Sequence, residues 1–115
     1  MMYVDFSAGG KDYKLRLNTR NIVNLEKQLG FNPVLIFGMD DKNMRYPTVE
    51  EMVSVLYCSL IQYNHGIKLD DAYDIFDAWL GDGHMTTDFL AVITEIFQVS
   101  GIFGNEKADG GEKNA

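Results

Sequence analysis

In this 115-residue sequence, the side chains best suited to metal binding or catalysis are a group of carboxylates and one histidine late in the chain. The group consists of Asp70, Asp71, Asp74, Asp77 and Asp82, with His84 close by. Helical spacing would place Asp70, Asp74 and Asp77 on one face, where carboxylate oxygens could bind a divalent cation. A calcium loop, however, alternates its ligands along a turning backbone and ends on a bidentate Glu, and this pattern is absent. We therefore interpret the group as a solvated helix face and predict no metal ion and no other cofactor.

The sequence also gives little evidence for a catalytic nucleophile or for a phosphate-binding loop. The single cysteine, Cys58, lies in an apolar segment, so we expect a buried and unreactive thiol that forms no disulfide within the chain. His65 and His84 lie beside glycines at predicted helix ends, and no Ser or Cys motif accompanies them. The glycines at 9–10 and 81–83 lack the spacing of nucleotide-binding loops and are interpreted as turns. No catalytic residue and no enzymatic activity is predicted.

The charge distribution argues against nucleic acid and anionic membranes as partners. The net charge is −7, and residues 46–103 hold one Lys against nine Asp and Glu, whereas residues 1–45 hold seven Lys and Arg against five acids. A polyanion would be repelled by the acidic part, and the small basic excess is no phosphate-binding footprint. Without a signal peptide or a stretch of about 20 apolar residues, the chain is expected in the cytoplasm.

The elements that must position any site begin with a β-hairpin over residues 2–17. Apolar residues alternate with polar ones along both arms, and Gly9-Gly10 lies in the predicted reversal. The residues predicted to face inward are Met2, Val4, Phe6, Tyr13, Leu15 and Leu17. Such a hairpin is marginal alone, so we expect its apolar face to pack against helices.

Two helical segments are predicted next. Asn18 or Thr19 can cap a helix that carries Ile22, Val23, Leu25 and Leu29 and ends at Gly30. Asn32-Pro33 starts a shorter helical piece that ends at Gly38, and residues 39–47 read as a loop.

The remaining helices follow from caps and apolar periodicity. Thr48 and Glu51 form a capping box, and the wide apolar stripe behind it, which includes Val49, predicts the central and most buried helix. A further helix begins at Asp70-Asp71, with Ala72, Tyr73, Phe76, Trp79 and Leu80 on its inner side. Thr86 or Thr87 is predicted to cap the last helix. The sequence thus predicts an α+β fold in one domain over residues 1–103, a hairpin followed by four to five helices, with a disordered tail over 104–115.

Six apolar residues are candidates for contact with a partner protein. Met39, Met44 and Tyr46 fall in the predicted loop, where they either fold back as a lid or form a contact surface. Phe97, Ile102 and Phe103 lie near the end of the predicted domain, where they either pack on it or contact a partner.

Three segments resemble a known family. Residues 15–33 (LRLNTRNIVNLEKQLGFNP), 69–77 (LDDAYDIFD) and 82–89 (DGHMTTDF) are similar to tail assembly chaperones of long-tailed, siphovirus-type bacteriophages and prophages of Gram-positive bacteria. The resemblance implies binding to the tape measure protein, a long helical chain that many chaperone copies keep soluble until tail tube protein polymerises around it. It implies absence from the mature virion. It also implies a possible longer product, made by frameshifting near Glu112-Lys113-Asn114, that recruits tail tube protein. Separately, the apolar surface of a 115-residue chain makes a homo-oligomer plausible, although no residue pattern defines its symmetry.

Two alternatives stay open beside the chaperone. One is a structural minor tail or connector protein retained in the virion. The other is a small metal-dependent regulator built on the Asp face and His84.

Overall fold

The hairpin forms where alternation predicts it. The computed structural model describes residues 2–38 and 44–103. Strands β1 (Val4–Ala8) and β2 (Lys11–Leu15) pair antiparallel, with Val4 opposite Leu15 and Ala8 opposite Lys11. Gly9 and Gly10 make the two-residue turn with φ of 59° and 82°, a backbone conformation that glycine adopts without steric penalty. Met2 is 68% exposed rather than inward, because it precedes the paired part of β1.

Helix α1 (Thr19–Leu29) is delimited by caps at both ends. The side chain of Asn18, not that of Thr19, accepts the amide hydrogen of Asn21 at 3.0 Å. At the other end Gly30, with φ of 80°, donates its amide to the carbonyl of Glu26 at 2.8 Å. A short 3-10 helix (Pro33–Leu35) follows, and Asn32 caps it.

Helix α2 (Val49–Leu60) is the central helix, as its wide apolar stripe predicts. It contacts α1, β2 and the two helices described next, and most of its side chains are buried. Both bonds of the predicted capping box are present between Thr48 and Glu51. Val49, predicted to join the stripe, is instead 46% exposed, because only the later turns of α2 are enclosed by neighbouring elements.

Helices α3 (Leu69–Gly81) and α4 (Phe89–Val99) complete the fold. The predicted Thr86 or Thr87 cap is wrong: a 3-10 turn (Thr86–Asp88) precedes α4, and the Asp88 carboxylate accepts the Met85 amide at 2.8 Å. Tyr73, predicted on the inner side of α3, is instead 44% exposed, because the buried row of α3 runs through Ala72, Phe76 and Trp79.

A cluster of four aromatic rings attaches the hairpin to α3 and α4. Among Phe6, Phe76, Trp79 and Phe89, five of the six ring pairs have centroids 5.2–6.0 Å apart, and four of these five are edge-to-face or tilted. All four belong to one buried apolar core, so Trp79 is a core residue as predicted.

The predicted fold class is confirmed: a two-stranded antiparallel hairpin precedes four α-helices within residues 2–38 and 44–103. Met39 and the tail over 104–115 lie outside the described residues. Among the helices that the structure describes, none combines the length and the apolar character needed to cross a membrane.

Candidate functional site

Met44 and Tyr46 form one side of an open surface groove. Their side chains are 68% and 72% exposed, which is high for large apolar residues. The groove has a volume of about 310 Å³. Its lining residues, called the apolar groove below, are Phe37, Met44, Arg45, Tyr46, Leu90, Ala91 and Thr94.

Arg45 holds the Met44–Tyr46 side of the groove in place. Its backbone amide donates to the carbonyl of Phe37 at 2.9 Å, and its Nη1 donates to the carbonyl of Ile36 at 2.9 Å. Its Nη2 donates to Oε2 of Glu51 at 3.0 Å, and the guanidinium lies 5.4 Å from the ring centre of Phe31. Because Arg45 is directed inward by these contacts, Met44 and Tyr46 on either side of it remain exposed.

Helix α4 forms the other side of the groove. Leu90 and Thr94 are half-buried and lie one helical turn apart, and the exposed Ala91 lies one turn before Thr94. The Thr94 hydroxyl donates to the carbonyl of Leu90 at 3.1 Å, so it is already bonded within its own helix. The groove can therefore accept apolar side chains without leaving this hydroxyl unpaired.

The three other candidate contact residues lie at the end of α4 and after it. Phe97 is fully buried and its ring belongs to the core, so of its two alternatives it packs on the domain and is not exposed to a partner. The carbonyl of Phe97 accepts the amides of Ile102 at 2.9 Å and Phe103 at 3.3 Å. The Phe103 ring lies edge-on to that of Phe97, with centroids 5.3 Å apart. Ile102 and Phe103 are thus half-buried and pack on the domain, the first of the two alternatives considered for them.

The acidic residues on and just after α3 have different roles. Asp71 accepts the Lys68 amide at the start of α3, and Asp82 accepts the Gly9 amide at 2.9 Å, which links α3 to the hairpin turn. Asp70, Asp74 and Asp77 are exposed along α3. Within the part of the chain that the structure describes, no three His, Cys, Asp or Glu side chains are grouped to hold a metal ion.

The surroundings of the two histidines and of the cysteine do not form a catalytic arrangement among the described residues. His84 stacks on Trp79 with centroids 4.3 Å apart and planes 7° from parallel, and its Nδ1 lies 3.9 Å from Oδ2 of Asp88. His65 is exposed. Cys58 is fully buried as predicted, and this burial raises the pKa of its thiol to about 12, so the nucleophilic thiolate is disfavoured at neutral pH.

The sequence pattern indicates Met44 and Tyr46 as exposed apolar residues but does not indicate the residues that lie across the groove from them. Leu90, Ala91 and Thr94 read only as part of a helix, because nothing local relates them to residues more than forty positions earlier. One sequence feature could have predicted the role of Arg45. It is a cation between two apolar residues, six positions before the helix-capping Glu51 with which it pairs.

One known family matches nearly the whole chain. Residues 5–115 match the model of DUF6096, described as a family of unknown function. No curated protein and no solved structure matches the chain.

Proposed function

The chain belongs to DUF6096, a family of unknown function, and we propose that it is a non-enzymatic protein-binding domain that acts as a phage tail assembly chaperone. The observation that supports binding is the apolar groove. A surface that exposes a methionine and a tyrosine next to a helix face is a common way to receive an apolar helix. Methionine adapts to partners of varied shape, which suits a chaperone that meets many segments of one long chain.

The proposed occupant of the groove is a helix of the tape measure protein, and the resemblance of residues 15–33, 69–77 and 82–89 to tail assembly chaperones supports this identity. A groove of about 310 Å³ holds only a few side chains, so each copy would bind with modest affinity. Many copies along one long chain would then hold it by avidity, and growing tail tube could displace them. The excess of acids after residue 45 would keep such a coated assembly from aggregating.

The proposal places the protein in the host cytoplasm during assembly and outside the finished particle. A longer frameshifted form would add contact with tail tube protein. Mass spectrometry of purified particles tests this placement, since the chain should be missing from them. Its recovery from particles in fixed stoichiometry would favour the structural minor tail or connector alternative instead.

Coexpression with the tape measure protein of the same phage or prophage tests the chaperone activity. The wild-type chain should raise the recovery of tape measure protein in the supernatant, and Met44→Glu should abolish most of that gain by placing a charge in the groove. Met85→Glu is the matched control, because Met85 is 65% exposed, close to the 68% of Met44, but lies outside the groove.

The outcomes separate two failures. If the wild-type chain leaves tape measure recovery unchanged, the chaperone proposal is overturned. If the wild type works and Met44→Glu works equally well, the chaperone activity stands and its assignment to the apolar groove is wrong.

A further inference from the structure

Helix α1 carries an exposed stripe with two basic residues, and α3 carries one with three acidic residues at identical spacing. The exposed acid of α1, Glu26, lies beside its stripe rather than in it. On each helix four residues follow one another at i, i+3, i+4 and i+7, which places them in one stripe. The basic stripe of α1 consists of Arg20, Val23, Asn24 and Lys27. The acidic stripe of α3 consists of Asp70, Tyr73, Asp74 and Asp77. In each stripe the outer charges are seven residues apart, about 10.5 Å along a helix.

Both stripes face solvent, and each exposes an apolar residue between its charges. Val23 is 41% exposed and Tyr73 is 44% exposed, although each belongs to an otherwise amphipathic helix. Across the described residues 2–38 and 44–103, none of the five stripe charges has an oppositely charged partner within 4.0 Å. The charges of each stripe are therefore available to a surface of opposite sign.

The two stripes lie on helices that do not pack closely against each other. Among the described residues, α1 and α3 both pack against α2 but make no comparable contact with one another, and the charged residues of each stripe are exposed. One copy can therefore present its basic stripe to one neighbour and its acidic stripe to another.

We propose that copies of this chain associate head to tail, with the basic stripe of one copy packed against the acidic stripe of the next. A parallel arrangement of the two helices places Arg20 opposite Asp70 and Lys27 opposite Asp77. It also brings Val23 against Tyr73, and the open depression beside Val23, lined by the basic stripe with Asn18 and Thr19, receives the tyrosine ring. The interface is heterologous, so repeating it produces a chain or a ring of copies rather than a closed dimer.

The association is weak per contact and sensitive to salt. Exposed ion pairs contribute little individually and are screened as ionic strength rises. The net charge of −7 adds a general repulsion between copies, so the stripes must overcome it locally. The inference is independent of the tape measure protein, because the stripes do not include the residues that line the apolar groove.

Sedimentation velocity of the full chain tests the interface. In about 50 mM salt the weight-average sedimentation coefficient of the wild type should increase with protein concentration, and in about 500 mM salt the increase should disappear because the charges are screened. Charge reversal of either stripe, R20E/K27E or D70K/D77K, should remove the increase in low salt. Glu50→Lys with Glu95→Lys is the matched control, since it changes the net charge as D70K/D77K does but alters two exposed acids outside both stripes.

Mixing the two charge-reversed variants is the decisive experiment, because it tests whether complementary charges restore association. The acidic α1 of R20E/K27E is complementary to the basic α3 of D70K/D77K, and the two unaltered stripes also match, so an equimolar mixture should recover the increase that each variant lacks. Circular dichroism confirms that each variant is folded. The proposal is overturned if the wild type stays monomeric in low salt, if the Glu50/Glu95 control loses association as D70K/D77K does, or if two folded variants stay monomeric when mixed.

Discussion

Nη2 of Arg45 lies 3.0 Å from each carboxylate oxygen of Glu51, and Oε1 of the same carboxylate also accepts the amide hydrogen of Thr48 at 3.0 Å. One side chain thus closes the capping box of α2 and anchors the arginine that positions Met44 and Tyr46. The apolar groove is therefore tied to the first turn of the central helix, and its shape depends on the integrity of that cap.

Glu51→Ala and Arg45→Ala are each expected to destabilise the protein by about 1–2 kcal/mol. Glu51→Ala removes the ion pair and the bond from the Thr48 amide, while the Thr48 hydroxyl still accepts the backbone amide of residue 51. Arg45→Ala leaves both bonds of the capping box intact but removes the ion pair and the bond to the Ile36 carbonyl. Urea denaturation measures both free energies of unfolding. Glu51→Gln is the control, because it keeps an acceptor for the Thr48 amide while removing the charge, and its cost should fall below that of Glu51→Ala. Strict additivity of the two alanine substitutions would contradict a direct Arg45–Glu51 coupling.

Gly9→Ala is expected to destabilise the hairpin turn more than Gly10→Ala. Both glycines have positive φ, of 59° and 82°, so an alanine is strained at either position by about 1–2 kcal/mol. Only at Gly9 would the added Cβ also meet a neighbour, the Cβ of Ala78 at 3.1 Å, whereas none lies within 4 Å at Gly10. Thermal denaturation of the two variants compares them directly.

A second substitution isolates the steric part of the Gly9 effect. Ala78→Gly removes the opposing methyl group, so it should be less destabilising in the Gly9→Ala background than in the wild type. Equal melting temperatures for Gly9→Ala and Gly10→Ala would show that Ala78 yields without cost.

The free energy of unfolding is expected to fall at alkaline pH through Cys58. Burial raises the pKa of its thiol to about 12, while a thiol in the unfolded chain titrates near 8.5. Below pH ~8 both states keep the proton, so this contribution to stability is fully present. As the pH rises from about 9 towards 12 the unfolded state releases its proton first, and stability is progressively lost. Urea midpoints at pH 7.5 and pH 10 measure the change.

The control for this prediction is Cys58→Ala. Tyrosines and lysines also titrate at alkaline pH, so the informative quantity is the difference in pH dependence between the wild type and this variant. The variant should be less stable at pH 7.5, because it loses buried volume, but should lose less of its remaining stability by pH 10. Parallel decreases in the two proteins would contradict the assignment to Cys58.

Features that depend on neighbours in sequence could be predicted. The Thr48–Glu51 capping box, a cap at Asn18 or Thr19 and the Gly9-Gly10 turn all involve groups within four residues of each other, so residue type and spacing predict them, although the choice of Asn18 is seen only in the structure. The central position of α2 followed from the width of its apolar stripe, because a helix that is apolar on most sides must be covered on most sides.

Periodicity was less informative for residues at the edge of each helix's apolar face. Val23, Val49 and Tyr73 fit an apolar pattern and yet are 41–46% exposed. A pattern shows which residues share a face, but the area of that face that a neighbouring element covers depends on where the elements cross.

Residue types and spacing predict the hairpin, the helices and most of their caps, and they identify Met44 and Tyr46 as apolar residues in an irregular segment. The folded chain alone shows that these two side chains face Leu90, Ala91 and Thr94, and that Asp82 accepts the amide of Gly9, 73 residues away in sequence. This difference follows from the range of the interactions. Caps and turns are settled by hydrogen bonds within a few residues, whereas the groove exists because the packing of α4 and the bonds of Arg45 bring two distant segments to the same surface.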